Sequence, residues 1–124
     1  MKPSDHLSYF AEHPVIKNKK QTKKMTTGEL FLAIEEWGKE RNIISPENRG
    51  RQALKVMEEV GETMAALARG NHAELKDGIG DSIVTLIILA AQSGLSAHDC
   101  LHSAYNEIKD RKGKTVDGVF IKEQ

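Results

Sequence analysis

Hydrophobic positions recur along this chain at the spacing of four amphipathic helices. Leu30, Ile34 and Trp37 stand at i, i+4 and i+7 and predict a first helix with a core stripe. Thr26-x-x-Glu29 is a capping box for its start, and Glu35, Glu36, Lys39 and Glu40 cover its polar side. The pattern fades near Asn42, with Ile43 and Ile44 expected to be buried in the connection. A second helix should open at Ser45-Pro46, run to Arg69 and close at Gly70. At 100° per residue, Ala53, Val56, Val60, Thr63, Met64 and Leu67 gather on its apolar side, and Lys55, Glu58, Glu59 and Glu62 on the other.

Asn71-x-x-Glu74 caps a third helix that should end at about Ser93-Gly94. Its stretch Ile83–Ala91 is apolar almost all round, which predicts the central helix. A fourth starts at Ser96, carries the stripe Ala97, Leu101, Ala104 and Ile108, and ends around Lys112-Gly113. Beyond it, Asp117-Gly118 between Thr115-Val116 and Val119-Phe120-Ile121 is a hairpin signal. The expected fold is all-α: a four-helix bundle-like core over 26–113, preceded by a basic arm (1–25) and followed by a hairpin-like tail (114–124).

Composition narrows the classes. The 124 residues suit one domain with one core, and the single cysteine, Cys100, excludes an internal disulfide. Cys100 is expected to be a buried, inert thiol, and a reducing, cytoplasmic setting is expected. No apolar run approaches the length of a membrane span, and the first ten residues contain no apolar signal core. The net charge of zero hides a division: residues 1–24 are net +4, six of them lysine, and the remainder is net −4. A general nucleic-acid binder is therefore not expected, although Lys17–Lys24 leaves a local grip on phosphates open beside the reading as a solvated linker.

The candidate chemistry lies in the acids. Glu59 and Glu62 are i, i+3 on the second helix, and Asp77 and Asp81 are i, i+4 on the third. The short connection at Gly70-Asn71 makes the two helices antiparallel, and counting from that turn sets both acid pairs at one level. Facing carboxylates at the edge of a core are costly unless a cation joins them. An all-oxygen set selects Mg²⁺, with Mn²⁺ possible, and Mg²⁺ is commonly shared with substrate phosphates. The competing reading is a surface charge band held by helix pairs such as Lys55 with Glu59. Gly78 and Gly80 flank the third helix's acids, where glycine is best tolerated if a helix or a ligand approaches the backbone.

Lys55-x-x-Glu58-Glu59-x-x-Glu62, followed by a helix bearing Asp81, resembles the MazG-type all-α nucleoside triphosphate pyrophosphohydrolases, whose pattern is Glu-Glu-x-x-Glu, a spacer, then Glu-x-x-Asp. The resemblance spans roughly residues 26–112 and is strongest to the short phage and bacterial type, the wording Ala104–Gly113 included. It implies Mg²⁺-dependent hydrolysis of a (d)NTP between the α and β phosphates to (d)NMP and pyrophosphate. Residue by residue, it implies metal binding by Glu59, Glu62 and Asp81, with Asp77 standing in where the expected Glu is Gly78. It implies water activation by Glu58 and substrate contacts from Lys55, Asn106, Lys109, Arg111 and Lys112. It also implies a homodimer or homotetramer. Alternatives that stay open are a relative acting on phosphoribosyl-ATP or an alarmone, and a catalytically degenerate helical protein that binds a nucleotide or a partner.

Overall fold

The computed structural model describes residues 24–124. The basic arm, apart from its last two residues, lies outside the described residues. Within them are four α-helices: α1 (Thr27–Glu40), α2 (Arg49–Arg69), α3 (His72–Gln92) and α4 (Ala97–Ile108). A 3-10 turn, Pro46–Asn48, leads into α2, and an antiparallel pair, β1 (Gly113–Val116) and β2 (Val119–Lys122), follows α4. The fold is all-α with a short C-terminal hairpin, as the periodicity predicts.

Local chemistry accounts for the boundaries. The side chains of Thr26, Asn71 and Ser96 each accept a hydrogen bond from the backbone N–H three residues on, at Glu29, Glu74 and Asp99. Each satisfies a donor that the first helical turn leaves orphaned. Gly70 closes α2 in the left-handed region at φ 70°, and Asn71 begins the next cap at once, so α3 folds back antiparallel along α2. The hairpin turns at Asp117-Gly118, both at positive φ.

The α2–α3 pair is the main packing unit. α1 lies across α3, and α4 rests more lightly on α3 and α1. The buried centre is Thr63 and Ala66 from α2 with Thr85, Ile87, Ile88, Ala90 and Gln92 from α3. Gln52 Nε2 donates to the Thr85 carbonyl (3.0 Å) and Gln92 Nε2 to the Ile43 carbonyl (2.9 Å), tying the end of α3 to the start of α2 and to the connection that precedes it. Among the described residues no single helix is long and apolar enough to cross a membrane.

The structure corrects the predicted core. Periodicity put Val60, Met64 and Leu67 inside, yet Gln52, Val56, Glu59, Thr63 and Ala66 turn toward α3 and those three are exposed. The cause is a close helix crossing, where Thr63 sits on Gly78 and only small or hydrogen-bonded side chains fit. In the same way Leu30 and Trp37 are half-exposed, with the Arg41 guanidinium 4.4 Å over the Trp37 ring. Leu101 and Ile108 of α4 face outward, and Cys100 is exposed rather than buried.

Candidate active site

The α2–α3 crossing that buries Thr63 also places the carboxylates. On α2, Glu59 stands one helix turn before Thr63 and Glu62 immediately before it, and across the crossing on α3 stand Asp77 and Asp81. All four line one cleft of 320 Å³. The same cleft takes in Arg69 from the last turn of α2 and Glu74 from the first turn of α3. These two form an ion pair at 2.6 Å across the helix junction.

Thr63 is the hinge of this arrangement. Its hydroxyl donates to the Glu59 carbonyl at 2.6 Å and lies 3.3 Å from the Ser82 hydroxyl, so the α2 backbone under Glu59 is tied to α3 beside Asp81. Gly78 is the other half of the contact. A β-carbon there would collide with the Thr63 hydroxyl and lie 3.1 Å from the Thr63 Cα. Of the two reasons for a glycine at 78, it is the close helix, and a glutamate side chain has no room to begin at this position.

Lys55 stands one turn before Glu59 with its ammonium 3.3 Å from the Glu59 carboxylate and 3.4 Å from that of Glu58. The Glu59 carboxylate first, and Glu58 second, hold the Lys55 ammonium above its usual range. Glu59 is the sheltered member: its side chain is 13% exposed against 50% for Lys55. Lys55, Glu59 and Asp81 also border a second hollow of 340 Å³ walled by Trp37, Ile43, Val84 and Ile88. Two hollows, one acidic and one largely apolar, thus share Glu59 and Asp81.

The donor set is hard oxygen throughout, which suits Mg²⁺ or Mn²⁺ in kind. Among the described residues no three His, Cys, Asp or Glu side chains converge enough to grip an ion by themselves. Mg²⁺ does not require that, because it retains waters and takes one or two carboxylates together with substrate phosphates.

Of the residues singled out from the sequence, Glu59, Glu62, Asp77 and Asp81 come together, and Lys55 joins them through Glu59. Glu58 is exposed beside Lys55 and outside the cleft wall. Asn106, Lys109, Arg111 and Lys112 lie on α4 and the segment after it, exposed and away from the cleft, with Asn106 Nδ2 3.3 Å from His102 Nδ1. The sequence reading missed Arg69 and Glu74. The signal was present: Glu62 and Arg69 are i, i+7 on α2, and Glu74, Asp77 and Asp81 keep to one face of α3.

Residues 29–111 match the family described as phosphoribosyl-ATP pyrophosphohydrolase. The chain belongs to that family. The family lies within the MazG-like all-α NTP pyrophosphohydrolase superfamily, so the resemblance carried by Glu58-Glu59-x-x-Glu62 holds at that level. The description of that family is of a phosphoanhydride hydrolase. This pyrophosphohydrolase-family chain is also 35% identical over 69 residues to an uncharacterized 18.2 kDa protein in the rep-hol intergenic region of Haemophilus phage HP1 (strain HP1c1). That match covers 56% of this chain and 42% of the phage protein, so the chain spans less than half the length of that relative. No solved structure matches.

Proposed function

We propose that the protein is a Mg²⁺-dependent nucleotide pyrophosphohydrolase that cleaves a (d)NTP between its α and β phosphates. The observation that carries this is the meeting of Glu59 and Glu62 of α2 with Asp77 and Asp81 of α3 in one cleft. A surface charge band held only by local helix pairs would not bring acids of two helices together.

Glu59, Glu62 and Asp81 would hold the cation, with Asp77 reaching in from the turn before Asp81. When bound, Mg²⁺ supplies charge neutralisation on the phosphates and a Lewis-acid pull on the leaving group. The rest falls to the chain's own groups. A carboxylate of the cleft accepts the proton as a water oxygen forms its bond to the α-phosphorus, while Glu58 stands outside the cleft wall beside Lys55. The bond from that phosphorus to the bridging oxygen breaks, and pyrophosphate leaves with the electron pair. Lys55 holds Glu59 and Glu58 in place, and Arg69 offers a guanidinium to the departing phosphates. The apolar hollow beside Trp37 is suited to the nucleoside end, because it adjoins the acids through Glu59 and Asp81.

A second substrate reading, phosphoribosyl-ATP, is favoured by the family match itself. Pyrophosphate release with Mg²⁺, from a panel of (d)NTPs and phosphoribosyl-ATP, distinguishes the two. The expected result is turnover by the wild type that Glu59→Gln and Glu62→Gln abolish. A folded wild type inert toward every member of the panel would leave only a degenerate binding protein.

A further inference from the structure

The apolar hollow beside Trp37 is bordered by few polar side chains, and one of them has hydrogen-bonding capacity held in a fixed direction. Glu59 and Asp81 stand where the hollow meets the acid cleft, and Lys55 is paired to Glu59 at 3.3 Å. Gln52 and Thr85 are the amide and the hydroxyl on its border. The Thr85 hydroxyl donates to the Ser82 carbonyl at 2.7 Å, and Gln52 Nε2 donates to the Thr85 carbonyl at 3.0 Å. Only the NH₂ end of an amide can meet a carbonyl oxygen, so this bond decides which way the Gln52 amide is turned. Its Oε1 accepts no hydrogen bond among the described residues, and one N–H of Nε2 remains beside it.

The amide also stands at the right place along the site. Gln52, Lys55 and Glu59 are at i, i+3 and i+7 on one face of α2, and Asp81 and Thr85 are at i, i+4 on α3. Gln52 is therefore roughly 10 Å of helix rise from Glu59, about the span of a sugar and a base. Trp37, Ile43, Val84 and Ile88 between them offer apolar walls to the flat faces of a ring.

We propose that Gln52 reads the base of the substrate, and that it selects a base presenting an exocyclic amino group, as adenine and cytosine do. The assignment rests on the pyrophosphohydrolase reading, which sets the nucleoside end in this hollow. Gln52 Oε1 accepts from the amino group and the remaining Nε2 N–H donates to the neighbouring ring nitrogen, the two-bond pairing that an amide side chain makes with adenine. In hypoxanthine and uracil the amino group is an oxygen and the neighbouring ring nitrogen carries a proton, so donor and acceptor trade places. The amide cannot turn over to follow them, because its oxygen would then face the Thr85 carbonyl oxygen.

The test compares nucleotides that differ only at that position, ATP against ITP and CTP against UTP, with Mg²⁺ and the full chain. In each pair the amino member is expected to have the higher kcat/KM, by about 10–100-fold. Gln52→Met keeps the length of the side chain and removes both polar atoms. It is expected to bring each ratio to within about threefold of unity, chiefly by loss on the amino member, with circular dichroism to confirm helicity. A residue that only ties α2 to α3 would lower all four rates alike and leave the ratios standing, which overturns the proposal. Equal kcat/KM within both wild-type pairs also overturns it, whether or not the variant folds, and leaves the pyrophosphohydrolase reading intact. Should none of the four be turned over, that reading falls instead, and titration of Trp37 fluorescence with the same nucleotides decides this one. Tighter binding of ATP than ITP and of CTP than UTP supports it, and equal binding or none overturns it.

Discussion

Gly78 of α3 lies directly against Thr63 of α2, with room for no β-carbon between them. That contact sets the spacing of the two helices that carry the acids, and it stands where the family's pattern has a glutamate. The departure from the pattern is therefore a packing choice at the helix crossing. The acid cleft is built around it from Glu74, Asp77 and Asp81 on the α3 side.

Gly78→Ala should destabilise the fold by about 1–3 kcal/mol, the usual cost of overpacking a tight contact. Thr63→Ala removes the hydroxyl that the new methyl would meet first, so the double variant should lose less than the two singles combined. Urea denaturation of the four proteins in a double-mutant cycle measures this coupling. Strict additivity would mean that the two residues do not share a contact.

Glu59→Gln, Glu62→Gln and Asp81→Asn should each lower turnover by at least ~10²-fold, the scale on which charge stabilisation of a reacting phosphate is lost. The thermal midpoints of the Glu62 and Asp81 variants should stay close to that of the wild type, since those two side chains are exposed. Chelation of divalent ions should abolish the wild-type rate, and Mg²⁺ should restore it.

Arg69 should divide stability from substrate binding. Its pair with Glu74 is short, but both side chains are more than half exposed, so Arg69→Gln should change stability by less than about 1 kcal/mol. Its guanidinium lines the acid cleft, so the same variant should raise KM for a phosphorylated substrate about tenfold while kcat falls less. Steady-state kinetics alongside a melting curve separates the two effects.

Trp37 is the chain's single tryptophan, and it borders the hollow shared with Lys55, Glu59 and Asp81. Its fluorescence should change on addition of nucleotide with Mg²⁺, and the change should saturate. Arg41→Ala, which removes the cation over the ring, should shift the emission of the free protein. Emission unaltered by a nucleotide that is being turned over would place the base elsewhere.

The helices and their ends were legible because their causes are local. Thr26, Asn71 and Ser96 cap through bonds three residues long, and Gly70 and Asp117-Gly118 need only their own backbone freedom. The antiparallel return at Gly70-Asn71 was equally local, and it sufficed to bring Glu59 and Glu62 to the level of Asp77 and Asp81. The faces of the helices were not so local. Periodicity identifies an apolar side of α2 but not which part of it a neighbour covers. Met64 and Leu67 therefore read as core and stand exposed.

By itself, then, the sequence determined the all-α fold, the order and ends of its helices, and the four carboxylates of the cleft, all through short-range bonds and helical spacing. Only the tertiary structure decided the rotation of α2 against α3. A steric contact between residues fifteen apart, Thr63 and Gly78, turned Glu59 inward toward Asp81. It brought Arg69 and Glu74 into the cleft and left Leu54, Met57, Val60, Met64 and Leu67 on the surface.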